Sequence, residues 1–127
     1  MDTSLKSLTP AFRNRVVQFL AALVEAKIPV QIISTGRTNQ EQIASIKRGT
    51  SWTANSRHLT GEAIDVCPFE IYNLHGPDKL NWDAADPVWL KIGDIGKRFG
   101  MRWGGDWKQK DMGHFEETYV PIPNYWA

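Results

Sequence analysis

The sequence predicts an α+β domain in which a small, mainly antiparallel sheet packs with about three helices. Three observations lead there. Segments near both ends carry apolar residues at helical spacing, and short β-branched or aromatic runs lie between and after them. The regular strand–helix alternation of a doubly wound parallel sheet is missing.

The first helix is the clearest element. Thr9 can cap it and Pro10 occupies its first position, where a missing N–H costs nothing. Phe12, Val16, Phe19, Leu20 and Leu23 then form one apolar stripe with Lys27 at its edge, and Pro29 ends the element. Val30–Ser34 is a short β-branched strand. A second helix is expected to start near Thr38, which has capping-box spacing to Glu41, and to end at Gly49. Residues 50–57 read as loop. A turn at Thr60-Gly61 leads into a short buried strand, Ala63–Val66.

Residues 70–86 have no clear period and read as a surface excursion. Asp86-Pro87 opens a third helix carried by Val88, Trp89, Ile92, Ile95 and Phe99 and closed at Gly100. Met101–Trp103 and His114–Phe115 read as strands bracketing a loop at residues 104–112. The tail from Val120 contains two prolines and is expected to be irregular.

A chain of 127 residues fits a single domain spanning 1–127. Its 42% hydrophobic and 23% charged residues are those of a globular protein that folds on its own core. One cysteine, Cys67, excludes an internal disulfide framework. A net charge of +1 gives no electrostatic case for nucleic acid. No apolar run approaches the roughly 20 residues needed to cross a bilayer, so stable membrane association is not expected. The first fifteen residues lack a signal peptide, which predicts synthesis in the cytoplasm. Nothing fixes an oligomeric state, and a monomer is the working expectation.

Three histidines are present. His75, between Leu74 and Gly76 in the excursion, reads as structural. His58 precedes the Thr60-Gly61 turn and Asp65 lies on the strand after it, so both can return to one point, where His114 can join them from a neighbouring strand. Two imidazoles and one carboxylate form a three-ligand set that leaves zinc an open position for water, as a catalytic site requires. A base must then take the proton of that water. Asp111, three residues before His114, can do so if it lies in a bend before the strand, because i and i+3 face opposite ways in a regular strand. Taken singly, each of these residues is more often a surface or core-edge side chain than a functional one.

The motifs around them raise the odds. Ser56-x-His58-x-x-Gly61-x-Ala63-x-Asp65 resembles the zinc-binding signature of the M15 metallopeptidases. Trp103-Gly104-Gly105-Asp106-Trp107 followed by Asp111-x-x-His114-Phe115-Glu116 resembles the block of the family's L-alanyl-D-glutamate endopeptidase branch, which includes phage endolysins. Ser34–Thr38 with Glu41-Gln42 resembles the family's arginine-bearing segment. The three motifs occur in family order and cover most of the chain. The stretch before Ser56 lacks the Pro-Gly often found there, a departure that touches no ligand.

The resemblance implies a fold like that of D-Ala-D-Ala peptidases and the hedgehog signalling domain. It implies that His58, Asp65 and His114 bind zinc, that Asp111 is the general base, and that Arg37 contacts substrate and stabilises charge at the scissile carbonyl. Ser56, Gln42, Asp106 and Trp107 would support the site or the substrate, although a core role suits the tryptophans and a turn role suits Asp106. Glu116 fits either a supporting contact or a solvated position. The implied reaction is amide hydrolysis in the stem peptide of peptidoglycan at the L-Ala-D-Glu bond, by a phage-type enzyme that reaches the wall after release from the cytoplasm. Two rivals are a D-alanyl-D-alanine carboxypeptidase or dipeptidase with the same zinc site, and a non-catalytic zinc-stabilised binding module of the same fold. The presence of Asp111 favours catalysis over the latter.

Overall fold

The computed structural model describes residues 2–36, 57–69 and 80–122. Arg37, Gln42, Ser56 and His75 lie outside the described residues, as does the helix expected between Thr38 and Gly49. The described residues contain two α-helices, α1 (Pro10–Glu25) and α2 (Val88–Arg98). They also contain four strands, β1 (Val30–Ser34), β2 (Ala63–Pro68), β3 (Arg102–Trp103) and β4 (His114–Glu116). Single 3-10 turns precede α1 at Leu5–Ser7, precede β2 at Arg57–Leu59, and succeed β3 at Gly104–Asp106. No helix among the described residues is long and apolar enough to cross a membrane.

Helix α1 buries Phe12, Val16, Phe19 and Leu23, the stripe expected from spacing. Two expectations need correction. Thr9 stands at the cap position but its side chain makes no capping bond. Its backbone works instead: the carbonyl accepts from Arg13 N–H at 2.8 Å, and the N–H donates to the Gly61 carbonyl at 3.0 Å. Lys27 is not on the helix, which ends at Glu25; it has φ 60° in the turn that leads to β1. Helix α2 begins at Val88, where the Asp86 carboxylate accepts the Val88 N–H at 2.9 Å, and the chain leaves it through Gly100 at φ 79°.

The strands form one antiparallel sheet in the order β1-β2-β4-β3. Strand β2 runs two residues beyond the expected Val66, because Val30 and Gln31 of β1 pair with Pro68 and Cys67. Side chains alternate across a strand, so the pairing sorts them into two faces. Ile64 sits opposite Phe115, which sits opposite Trp103, and these face the helices. Asp65 sits opposite His114, and Ala63 opposite Glu116, on the other face.

The core lies between the helices and the first of these faces. Phe12, Phe19, Ile64, Ile92 and Phe115 have no measurable exposure, and Trp89 has almost none. Each such side chain contributes about 1.5–3 kcal/mol by leaving water. The Phe19 and Phe115 rings lie 4.8 Å apart. Helix α2 comes close enough to the sheet that a Cβ at Gly93 would run into the Trp103 ring, and one at Gly96 into Phe115.

One buried ion pair closes the domain. Arg15 of α1 meets Glu117 at 2.8 Å, with both side chains nearly inaccessible. Arg15 also donates to the Phe99 carbonyl at 2.8 Å and to the Val120 carbonyl. The Glu117 carboxylate accepts the N–H groups of Thr118 and Tyr119. The segment after β4 is thereby fastened to α1.

Candidate metal centre

His58 lies on the 3-10 turn Arg57–Leu59, which takes in Arg57 from the end of the expected loop. The Thr60 and Glu62 N–H groups both donate to the Arg57 carbonyl and tie this turn to the start of β2. Gly61 reverses the chain at φ 73°, where a Cβ would collide with the Ser7 carbonyl, so both conformation and space require glycine. The reversal brings Asp65 back beneath His58. The β2–β4 register places His114 directly opposite Asp65.

The result is one carboxylate between two imidazoles. Asp65 Oδ2 is 3.1 Å from His58 Nε2, and Asp65 Oδ1 is 3.1 Å from His114 Nδ1. One donor atom from each of the three residues lies within 4.8 Å of the others. The two rings stand edge to face at 5.2 Å, and both histidines are buried. Burial alone would raise the Asp65 pKa, but hydrogen bonds to His114 and His58 hold it far below the usual carboxylate range. Burial alone would lower the His114 pKa, yet hydrogen bonds to Asp65 and Glu116 raise it to about 9. Without a metal, the carboxylates therefore compete to keep a proton on His114. Two imidazole nitrogens and a carboxylate oxygen converging in a buried corner also suit a divalent transition metal, which would take that proton's place.

Asp111 lies in the bend before β4, as the spacing argument demands. Its N–H donates to the Gly104 carbonyl at 2.9 Å, and its carbonyl accepts the His114 N–H at 3.2 Å. Its half-exposed carboxylate stands 4.0 Å from His114 Nδ1, on the open side of the trio. Trp107 packs its ring 4.9 Å from that of His114, so it borders the site. Trp103 instead is core, its indole N–H donating to the Met112 carbonyl at 2.7 Å. The structure does not bring Asp106 to the trio. The 3-10 turn at Gly104–Asp106 carries it to the surface, where it pairs with Lys97 of α2 at 3.1 Å.

Glu116 is the residue whose position the sequence leaves open. Two residues after His114 on β4, it shares a face with it and is 8% exposed. Its Oε1 lies 2.9 Å from His114 Nε2. Its Oε2 is 3.7 Å from Arg102 and 3.9 Å from Arg57.

Residues 49–117, more than half of the chain, match the profile of a peptidase M15 family described as D-alanyl-D-alanine carboxypeptidase. The chain belongs to the M15 metallopeptidases. A Bacillus subtilis (strain 168) M15 relative, the peptidoglycan L-alanyl-D-glutamate endopeptidase CwlK, is 33% identical over 102 residues, covering 74% of this chain and 53% of its own length. The L-alanyl-D-glutamate peptidase of Listeria phage A118 is 33% identical over 100 residues, 72% of this chain and 31% of the phage protein. That of Escherichia phage T5 is 30% identical over 93 residues, 67% of this chain and 64% of the phage protein. This M15 chain thus spans less than two thirds of each of these relatives. The crystal structure of the Serratia marcescens L-Ala D-Glu endopeptidase ChiX superposes with a TM-score of 0.72 at 25% identity, covering 91% of this chain and 84% of ChiX. The α+β fold expected from sequence is that of this M15 neighbour.

Proposed function

We propose that this chain is a single zinc-dependent catalytic domain that hydrolyses the L-Ala-D-Glu bond of the peptidoglycan stem peptide, in the manner of a phage endolysin. The observation that carries the reading is the meeting of His58, Asp65 and His114 on one face of the sheet, with Asp111 at its open edge. The M15 relatives named for L-alanyl-D-glutamate cleavage support the choice of bond. Action at the bacterial wall after release from the cytoplasm is part of the same proposal. A monomer suffices for this chemistry, because the proposed ligands and base belong to one chain.

Zinc held by His58, Asp65 and His114 would supply Lewis-acid activation of the scissile carbonyl and of water. The remaining work falls to the chain's own groups. Asp111 accepts the proton of the attacking water and returns it to the leaving amine. Arg37, in the family's arginine segment, balances the negative charge that develops on the carbonyl oxygen. Trp107 bounds the site beside His114 and limits the approach of bulk water. Gln42 and Ser56 are assigned supporting contacts by their motifs.

The description of the matching family profile favours a second reading, a D-alanyl-D-alanine carboxypeptidase. Digesting purified peptidoglycan and sequencing the products by mass spectrometry separates the two. New amino termini at D-Glu are expected. Release of free D-Ala without them would overturn the proposal in favour of the second reading.

A further inference from the structure

Two side-chain hydrogen bonds of His114 have opposite consequence. Its Nδ1 faces Asp65 Oδ1 at 3.1 Å, on the side where His58 also arrives. Its Nε2 faces Glu116 Oε1 at 2.9 Å on the far side of the ring. A neutral imidazole carries one proton, and the nitrogen that carries it cannot bind a metal. Which nitrogen that is depends on which partner holds the hydrogen.

We propose that Glu116 is a positioning residue that holds His114 as the Nε2–H tautomer and so reserves Nδ1 for the metal. An ionised carboxylate can only accept, so the contact at Nε2 needs a proton there. The carboxylate has little access to water, and each of its oxygens has a task. Oε1 faces the imidazole, while Oε2 faces the guanidinium groups of Arg57 and Arg102 at 3.9 and 3.7 Å. The arginines offset the cost of burying the charge and fix the direction of the carboxylate. Strand geometry does the rest, since positions 114 and 116 lie on the same face of β4 and cannot drift apart.

The inference rests on the reading of His58, Asp65 and His114 as a zinc site, and the experiment separates the two. Zinc affinity is measured by chelator competition in the unmutated protein and in Glu116→Gln, which keeps the size of the side chain and removes its charge. Thermal unfolding of both in chelator reports any purely structural loss. Glu116→Gln is expected to weaken zinc binding roughly 10–100-fold, the usual effect of losing a partner behind a ligating histidine. Its metal-free melting midpoint is expected to stay within a few degrees. Histidine nitrogen chemical shifts of the unmutated, zinc-loaded protein are expected to show His114 protonated at Nε2, a readout that needs no variant to fold. Zinc affinity in Glu116→Gln within twofold of the unmutated protein, or a proton on Nδ1, would overturn the role of Glu116 alone. Failure of the unmutated protein to take up zinc would overturn the metal site and this role with it.

Discussion

Replacing Gly113 with alanine tests whether backbone contact beneath His114 sets the geometry of the site. The Gly113 carbonyl accepts the Val66 N–H at 3.0 Å, and a Cβ on Gly113 would press on the Val66 carbonyl oxygen, well inside the 3.0 Å that real Cβ contacts respect. The neighbour is backbone in a buried strand, so it cannot swing aside, and β4 must move away from β2. Overpacking of this kind costs about 1–3 kcal/mol. An unfolding entropy of about 2.1 cal/mol/K per residue makes 1 kcal/mol worth roughly 4 °C for this chain, so the midpoint should fall by about 4–12 °C. His114 is the next residue, and ligand geometry tolerates about 0.5 Å of displacement. Each 1.4 kcal/mol of strain borne by the site weakens zinc about tenfold. Thermal unfolding with and without zinc, together with chelator competition, reads both effects. A midpoint within about 2 °C of the unmutated protein, with equal zinc affinity, would refute the claim that this contact sets the spacing.

Other named groups carry expectations of their own. Arg15→Met strands the buried Glu117 carboxylate and should cost about 3–5 kcal/mol, while Arg15→Met combined with Glu117→Gln should recover part of it; additive losses in urea unfolding would count against the pair. In metal-free protein, His114 has a folded pKa of about 9 against 6.5, so its contribution is whole below pH 6.5 and disappears as pH rises through 9. The depressed Asp65 contributes above its ordinary 3.8 and is lost as pH falls toward its folded value. Melting midpoints in chelator should therefore be highest between about pH 4 and 6.5; a rise between pH 6.5 and 9 would contradict this. Asp111→Asn should retain zinc but lose roughly 10²–10⁴ in hydrolysis of stem peptides, and unchanged turnover would remove its role as base.

Much of this molecule was legible in its sequence where the signal is local. The α1 stripe, β1, the Gly61 turn and the Asp86 and Gly100 ends of α2 all arise from spacing and cap chemistry within a few residues. Features settled at long range were not legible. No local pattern pairs Arg15 with Glu117, which lies at the other end of the chain. Gly93 and Gly96 weaken a helix in isolation, and only the rings of Trp103 and Phe115 explain them. The union of His58, Asp65 and His114 was suggested by their motifs, but pairing Asp65 with His114 depends on a strand register that no local pattern encodes. Glu116 could have been found by one rule, that i and i+2 share a strand face. Asp106 belongs to the same motif block as Asp111, yet its partner is Lys97 of α2, a contact that no local pattern announces.

The central claim is tested most directly by the zinc content of the purified protein beside that of His114→Ala, measured by mass spectrometry of the metal after dialysis against trace zinc. About one zinc per chain is predicted for the unmutated protein, and close to none for the variant. Zinc absent from the unmutated protein, or retained in full by His114→Ala, would contradict the site built from His58, Asp65 and His114.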